Sequence, residues 1–171
     1  MGLPPSSLVV ARAYSDDDVL LACNILIEAA DWLASSGQPL WNRESLTPAN
    51  IRLSRDEGSI FLARLEGQPV GTFVLQFEDS TFWPDASPGE ALYLHKLAVC
   101  RSAARTGLSH NLLDHATAEA RSAGRKFLRL DCVIRPKLCA FYDSAGFHRH
   151  SDRTVGNFTV RRYERPIMVE A

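Results

Sequence analysis

The chain has 171 residues, with 46% hydrophobic and 23% charged residues, a balance that excludes a disordered tail and a disulfide-stapled scaffold. No apolar run reaches the ~18–20 residues that span a bilayer, and no basic-then-apolar leader opens the chain. The expectation is one domain over residues 1–171, cytoplasmic, with no membrane partner.

The net charge of −1 hides an asymmetry. Residues 1–90 carry 5 Arg and no Lys against 13 acids, and residues 101–137 carry 8 Lys or Arg against 3 acids. The first stretch suits a cation and the second an anion. No compact basic stripe is interleaved with aromatics, so no nucleic-acid partner is expected. Cys23, Cys100, Cys132 and Cys139 form no C-x-x-C pair and read as reduced thiols, with Cys23 and Cys132 in the core. The opening Met1-Gly2-Leu3-Pro4-Pro5-Ser6 matches a myristoylation pattern only formally.

In chain order, Leu8 to Tyr14 reads as a strand. Ser15 then caps a helix whose first turn holds Asp16, Asp17 and Asp18, acids that complement the helix dipole. Leu21, Ile25, Ala29 and Trp32 mark its apolar face, and it runs to about Ala34. Thr47-Pro48 starts a second helix, ending near Gly58. Residues 59–64 and 69–77 are two strands joined by a turn at Glu66-Gly67-Gln68. After a loop rich in Pro, Asp and Ser, residues 91–99 are nearly continuously apolar, a strand buried on both faces. Residues 107–123 are helical, with Leu108, Leu112, Ala116 and Ala120 inward. Residues 127–133 form another buried strand and 136–144 a short helix, and residues 147–150 and 157–164 suggest a last hairpin. The strand–helix–strand unit from 91 to 133 demands a crossover, hence a parallel pair within a mixed sheet.

The chemistry concentrates after residue 90. The loop from Cys100 to Thr106 leads into Gly107-Leu108-Ser109 at a helix start, where unpaired N–H groups and the positive dipole end favour an anion. Arg101 and Arg105 add positive charge, and Gly107 lets a ligand approach the backbone. On strand alternation Tyr93, His95, Leu97 and Val99 share one face.

The run Leu94-His95-Lys96-Leu97-Ala98-Val99, followed by Gly107-Leu108-Ser109-His110-Asn111-Leu112-Leu113, resembles the acetyl-CoA motif of the GNAT superfamily of N-acetyltransferases. Phe141-Tyr142-Asp143-Ser144-Ala145-Gly146-Phe147 resembles its second hallmark. The resemblance runs from the first strand to Tyr163-Glu164-Arg165-Pro166. It implies an α/β (α+β) fold, a central mixed sheet of about seven strands flanked by about four helices. It implies acetyl-CoA as co-substrate, with no metal, and a small-molecule primary amine as acceptor.

The resemblance also assigns residues. Leu97, Ala98 and Val99 pair with the pantetheine arm, while Ala104, Arg105, Thr106, Gly107, Leu108, Ser109 and His110 cradle the pyrophosphate. Tyr142 takes the place of the general acid, and Arg135 precedes the short helix. Three positions depart from the family pattern: Ala104 replaces Gln or Arg, Ser109 replaces Gly or Ala, and Arg135 stands where Asn is frequent. A weakened or altered CoA affinity follows.

A phenol near pKa 10 protonating a thiolate near 8.5 is uphill by about 2 kcal/mol, so Tyr142 acts mainly as a hydrogen bond to the leaving sulfur. An amine acceptor needs a proton sink, because deprotonating it at pH 7 costs ~4–5 kcal/mol. His95 is the candidate base, with Glu90 and Asp131 as alternatives. Gln38, Trp41 and Trp83, with Phe82, are candidate acceptor-pocket residues, near which Glu78, Asp79 and Glu90 attract an ammonium group. His148-x-His150 lacks a third ligand at metal spacing, and His110 and His115 face solvent. A CoA sensor without turnover, or an acetyltransferase acting on a protein N-terminus or lysine, stands as the alternative function, and a homodimer is left open.

Overall fold

The computed structural model describes residues 7–168, so the formal myristoylation match lies outside the described residues. Strand β1 (Leu8–Arg12) precedes helix α1 (Asp16–Ser35). The chain is extended at Ser15, whose hydroxyl accepts a hydrogen bond from the Asp18 N–H at 3.1 Å, the cap expected from the sequence. The inward face of α1 is wider than the expected one. Val19, Ala22, Cys23, Leu26 and Ala30 are buried beside Ile25, Leu21 and Ala29 pack partly buried against the same core, and of the expected residues Trp32 alone is exposed, at 41%. Residues 19–30 are apolar at so many positions that their spacing alone does not fix the helix rotation.

A 3-10 turn at Arg43–Ser45 leads to α2 (Pro48–Asp56), where the Thr47 hydroxyl accepts from the Asn50 N–H at 3.2 Å. Strands β2 (Gly58–Leu65) and β3 (Gln68–Gln76) follow, then β4 (Ala91–Val99), α3 (Leu108–Ser122), β5 (Phe127–Val133) and α4 (Pro136–Ser144). β6 (His148–Val155) and β7 (Phe158–Pro166) close the chain as an antiparallel hairpin, irregular between Arg149 and Ser151. The seven strands form one sheet in the order β1-β2-β3-β4-β5-β7-β6. The expected crossover is present: β4 and β5 run parallel, with Ala91, Leu92 and Tyr93 opposite Phe127, Leu128 and Arg129. The other registered pairs, β1 with β2, β5 with β7 and β6 with β7, are antiparallel. The sheet is therefore mixed, as expected.

The described residues fall into two compact units: those up to residue 74 with 96–112, and residues 75–95 with those from 113 onward. In the first, the buried face of α1 packs with Ile51 of α2, Ile60 and Leu62 of β2, and Ala98 of β4. Gly71 of β3 belongs to the same unit. A Cβ there would lie 2.9 Å from Leu112 Cδ1 and 3.3 Å from the Ala98 carbonyl oxygen. The absence of a side chain is what lets α3 and β4 approach β3 so closely. In the second unit, Leu113, Ala116 and Ala120 of α3, Leu128 and Leu130 of β5 and Tyr163 of β7 are buried. Arg129, itself buried, bridges Glu90 and Glu164 at 2.9 Å each, tying the residue before β4 to β7. Among the described residues no helix is long and apolar enough to cross a membrane.

Candidate active site

In the first unit, β4 ends at Val99 and the chain turns through a 3-10 turn at Arg101–Ala103 into α3. The Thr106 hydroxyl donates to the Ala103 carbonyl at 2.6 Å, which orders the loop. Arg105 and Gly107 adopt left-handed backbone, with φ of 61° and 82°. Nothing lies within 4 Å of where a Gly107 Cβ would stand, so the backbone there is open to approach. Leu108 and Ser109 open α3, and first-turn N–H groups have no acceptor inside their helix. Arg105 and His110 are exposed, Ala104 and Ser109 half-buried, and Leu108 buried. The guanidinium of Arg101 lies 3.6 Å from the centre of the Trp32 ring, and the backbone N–H of Arg101 donates to the Glu28 carboxylate at 2.9 Å. That stacking accounts for the exposed position of Trp32.

Lys96 changes one expectation about β4. Its φ of 51° is left-handed, a conformation that interrupts a strand's alternation. The face that Tyr93 and His95 share therefore does not continue regularly to Leu97 and Val99. The partly buried Lys96 ammonium is held below its usual range by burial, opposed by the charge of Glu57. The β4–β5 register covers only the first three residues of β4 and stops before His95.

The second unit brings His95 to two carboxylates. Asp79 folds its loop back on itself: Oδ1 accepts from the N–H groups of Thr81 at 3.2 Å and Phe82 at 2.8 Å. Oδ2 lies 3.5 Å from His95 Nε2, with the Asp79 side chain only 5% exposed. Asp131 of β5 completes the group, and the ligand-type atoms of Asp79, His95 and Asp131 lie within 4.8 Å of one another. Burial, then the charge of Asp79, pushes the Asp131 carboxyl up to about 7. Tyr142 of α4 is buried among Phe141, Phe147 and Tyr163, with ring centroids 5.0, 5.7 and 5.9 Å away. Burial, and then the charges of Cys132 and Asp131, raise its phenol well above the usual tyrosine range.

Three expected pocket residues have other duties. Trp83 is 3% exposed, held between the guanidinium groups of Arg129 and Arg162 at 4.8 and 4.6 Å, and anchors its loop. Glu90 is paired with Arg129. Trp41 is half-buried against the core of the first unit, whereas Gln38 is exposed. Glu78 is exposed, Arg135 is half-buried and caps α4 through no side-chain hydrogen bond, and His110 and His115 are exposed.

Sequence reasoning missed Arg162. It donates to Asp85 at 2.6 Å, to Ser151 at 2.8 Å and to the Phe82 carbonyl at 3.1 Å, fixing the loop that carries Asp79. An Arg among exposed β-hairpin residues carries no local sign of such a role. The Asp79–His95–Asp131 group has donors of the type that bind a divalent ion. It joins residues 16 and 36 positions away from His95, a separation that no spacing rule anticipates.

Comparison with known proteins bears on the family and the fold. Residues 26–147 match the family model of the acetyltransferase (GNAT) family. The chain is 28% identical over 138 residues to the uncharacterised N-acetyltransferase YesJ of Bacillus subtilis strain 168, with 77% of each chain covered. A GNAT-family acetyltransferase of Listeria monocytogenes 4b F2365 superposes with a TM-score of 0.74 at 24% identity, covering 92% of this chain and 94% of that one. The protein yncA of Salmonella typhimurium, solved with its cofactor acetyl-CoA, superposes with a TM-score of 0.70 at 16% identity, covering 97% of each. The seven-stranded mixed sheet, the four helices and the match over residues 26–147 together make this chain a member of the GNAT acetyltransferase family.

Proposed function

We propose that the chain transfers the acetyl group of acetyl-CoA to a primary amine by direct attack of the amine on the thioester. The observation that carries this reading is the apposition of His95 to buried Asp79, 3.5 Å apart. A buried carboxylate facing one imidazole nitrogen orients the ring. His95, or a water it holds, takes the proton that the acceptor sheds.

The residues around Gly107 fit a diphosphate. Backbone amides supply the donors, so the pattern tolerates Ala104 and Ser109, whose side chains are not required to bind. Leu97, Ala98 and Val99 line the pantetheine arm in this reading. Acetyl-CoA, when bound, supplies an acyl group activated as a thioester. Burial keeps Tyr142 protonated, so it serves as a hydrogen-bond donor toward the leaving sulfur more than as an acid. Direct transfer suits the thiols as well: burial raises Cys23 and Cys132, and Cys100 is pushed up to about 11, so none of these three is a ready thiolate. The proposed setting is a water-soluble, cytoplasmic enzyme acting on a small-molecule amine.

The test is a calorimetric titration with CoA beside a thiol-release assay over a panel of amines and short peptides. The expected result is CoA binding with thiol release from some primary amine. Binding with no release from any acceptor moves the reading to a CoA sensor, consistent with Ala104 and Arg135. Peptides outcompeting small amines move it to protein acetylation. No affinity for CoA overturns it altogether.

A further inference from the structure

Asp79 uses one carboxylate oxygen to hold its loop and leaves the other over. Oδ1 accepts from the N–H groups of Thr81 and Phe82, whereas Oδ2 is buried and accepts no hydrogen bond from any described residue. The Asp79 side chain is only 5% exposed, so bulk water does not supply the missing partner. Oδ2 faces two further ligand-type groups in the same unit. His95 Nε2 stands 3.5 Å away, and an Asp131 carboxylate oxygen completes a set whose members lie within 4.8 Å of one another. Arg162 stands opposite Asp131 in the β5–β7 register, but its guanidinium is committed to Asp85, Ser151 and the Phe82 carbonyl. Two carboxylates packed this closely in a poorly solvated site call for a cation.

We propose that Asp79, His95 and Asp131 form a divalent transition-metal site of the Zn²⁺ type, and that an ion bound there silences acetyl transfer by occupying the imidazole nitrogen that would take the proton. The silencing rests on the acetyltransferase reading above; the metal site does not. Two ligand atoms about 2.1 Å from one ion, at tetrahedral angles, stand roughly 3.4 Å apart. The 3.5 Å between His95 Nε2 and Asp79 Oδ2 matches that spacing, whereas an N–H···O hydrogen bond would draw them to about 2.9 Å. Asp131, the looser member of the set, closes in by about 1 Å to reach the same ion. One imidazole with two carboxylates suits Zn²⁺ better than Mg²⁺ or Ca²⁺, which prefer oxygen alone. The two backbone N–H groups on Asp79 Oδ1 hold the carboxylate in place from behind, the usual duty of an outer-shell partner. His95 and Asp131 are half-buried, and their solvent side gives the ion its way in. The family resemblance implies no metal, so the site is a property of this chain's own residues.

The experiment starts from full-length protein stripped of metal by a chelator and titrates it with Co²⁺ and with Zn²⁺. The expected result is a single tight site per chain, a Co²⁺ d–d spectrum without a thiolate charge-transfer band, and a Tm raised by either ion. Asp79→Asn and His95→Ala should each weaken binding by more than about a hundredfold, beyond what loss of an outer-shell partner costs, and Asp131→Asn by about tenfold or more. A His148→Ala/His150→Ala double variant should keep the full affinity. The metal-free Tm of each variant shows that it folds, and one that does not leaves the decision to the other two. Acetylated amine, measured by mass spectrometry with free Zn²⁺ held by a metal buffer, should fall about a hundredfold as the site fills, the scale of a lost general base. The midpoint of that fall should track the calorimetric Kd and move up with it in Asp131→Asn. No Co²⁺ binding, binding that survives in His95→Ala and Asp79→Asn, or a thiolate band overturns the site. Transfer that is unchanged or faster with the site filled overturns the silencing. If even the metal-free protein acetylates no amine, the acetyltransferase reading fails by itself, and the spectra and variant affinities still decide the site.

Discussion

Tyr142 shows how burial selects between two roles for one side chain. A phenol in water loses its proton near pH 10, and the surroundings of Tyr142 raise that further. Tyr142→Phe is therefore expected to lower kcat by about ten- to a hundredfold, the scale of one hydrogen bond to a developing charge, with little change in CoA affinity. Steady-state kinetics beside calorimetry checks this, and an unchanged kcat removes Tyr142 from the mechanism. Asp131 links charge to stability. Its folded value of about 7 lies above the ordinary 3.8, so the folded state holds the proton more tightly than the unfolded chain. The stability it contributes is complete below about pH 4 and is lost as pH rises toward 7. Asp131→Asn should accordingly raise Tm relative to the unaltered protein at pH 8, by a few degrees, and not at pH 4. Thermal unfolding at both values reads the difference.

At the scale of elements, the helix starts were legible because caps are local. Ser15 and Thr47 each bond an N–H three residues on, as their neighbours in sequence suggest. The rotation of α1 was not legible, since the choice between Trp32 and Ala30 as inward residue depends on the sheet it meets and on Arg101, far along the chain. Gly71 is a matching case in a strand. A methyl group there meets Leu112 and the Ala98 backbone, and backbone does not yield cheaply. Gly71→Ala should destabilise the fold by about 1–3 kcal/mol, visible as an earlier denaturant midpoint with an unchanged slope. A neutral result would mean that α3 shifts more freely than this packing implies.

For the whole molecule, the charge asymmetry assigns an anion to one stretch of the chain and a cation to another. The basic stretch from 101 to 137 contains the Gly107 turn, and the acidic first ninety residues contain Asp79. A ligand that binds only the folded state stabilises it by about 2.7 kcal/mol at a hundred times its Kd. CoA at that concentration should raise Tm by roughly 5–10 °C in a chain of this length. A thermal shift series with CoA, and with adenosine lacking the diphosphate as control, measures it. Equal shifts from both would place the binding energy outside the turn at Gly107.

By itself the sequence determined the order of elements, the parallel crossover, the caps and the two stretches that mark the family, because each depends on residues close together in the chain. Only the tertiary structure decided that Trp83 and Glu90 are structural anchors, and that Arg162 fixes the loop bearing Asp79. It alone brought Asp79, His95 and Asp131 together. Contacts between residues tens of positions apart follow from strand register and loop path, which the pattern of apolar and polar residues within one segment does not encode.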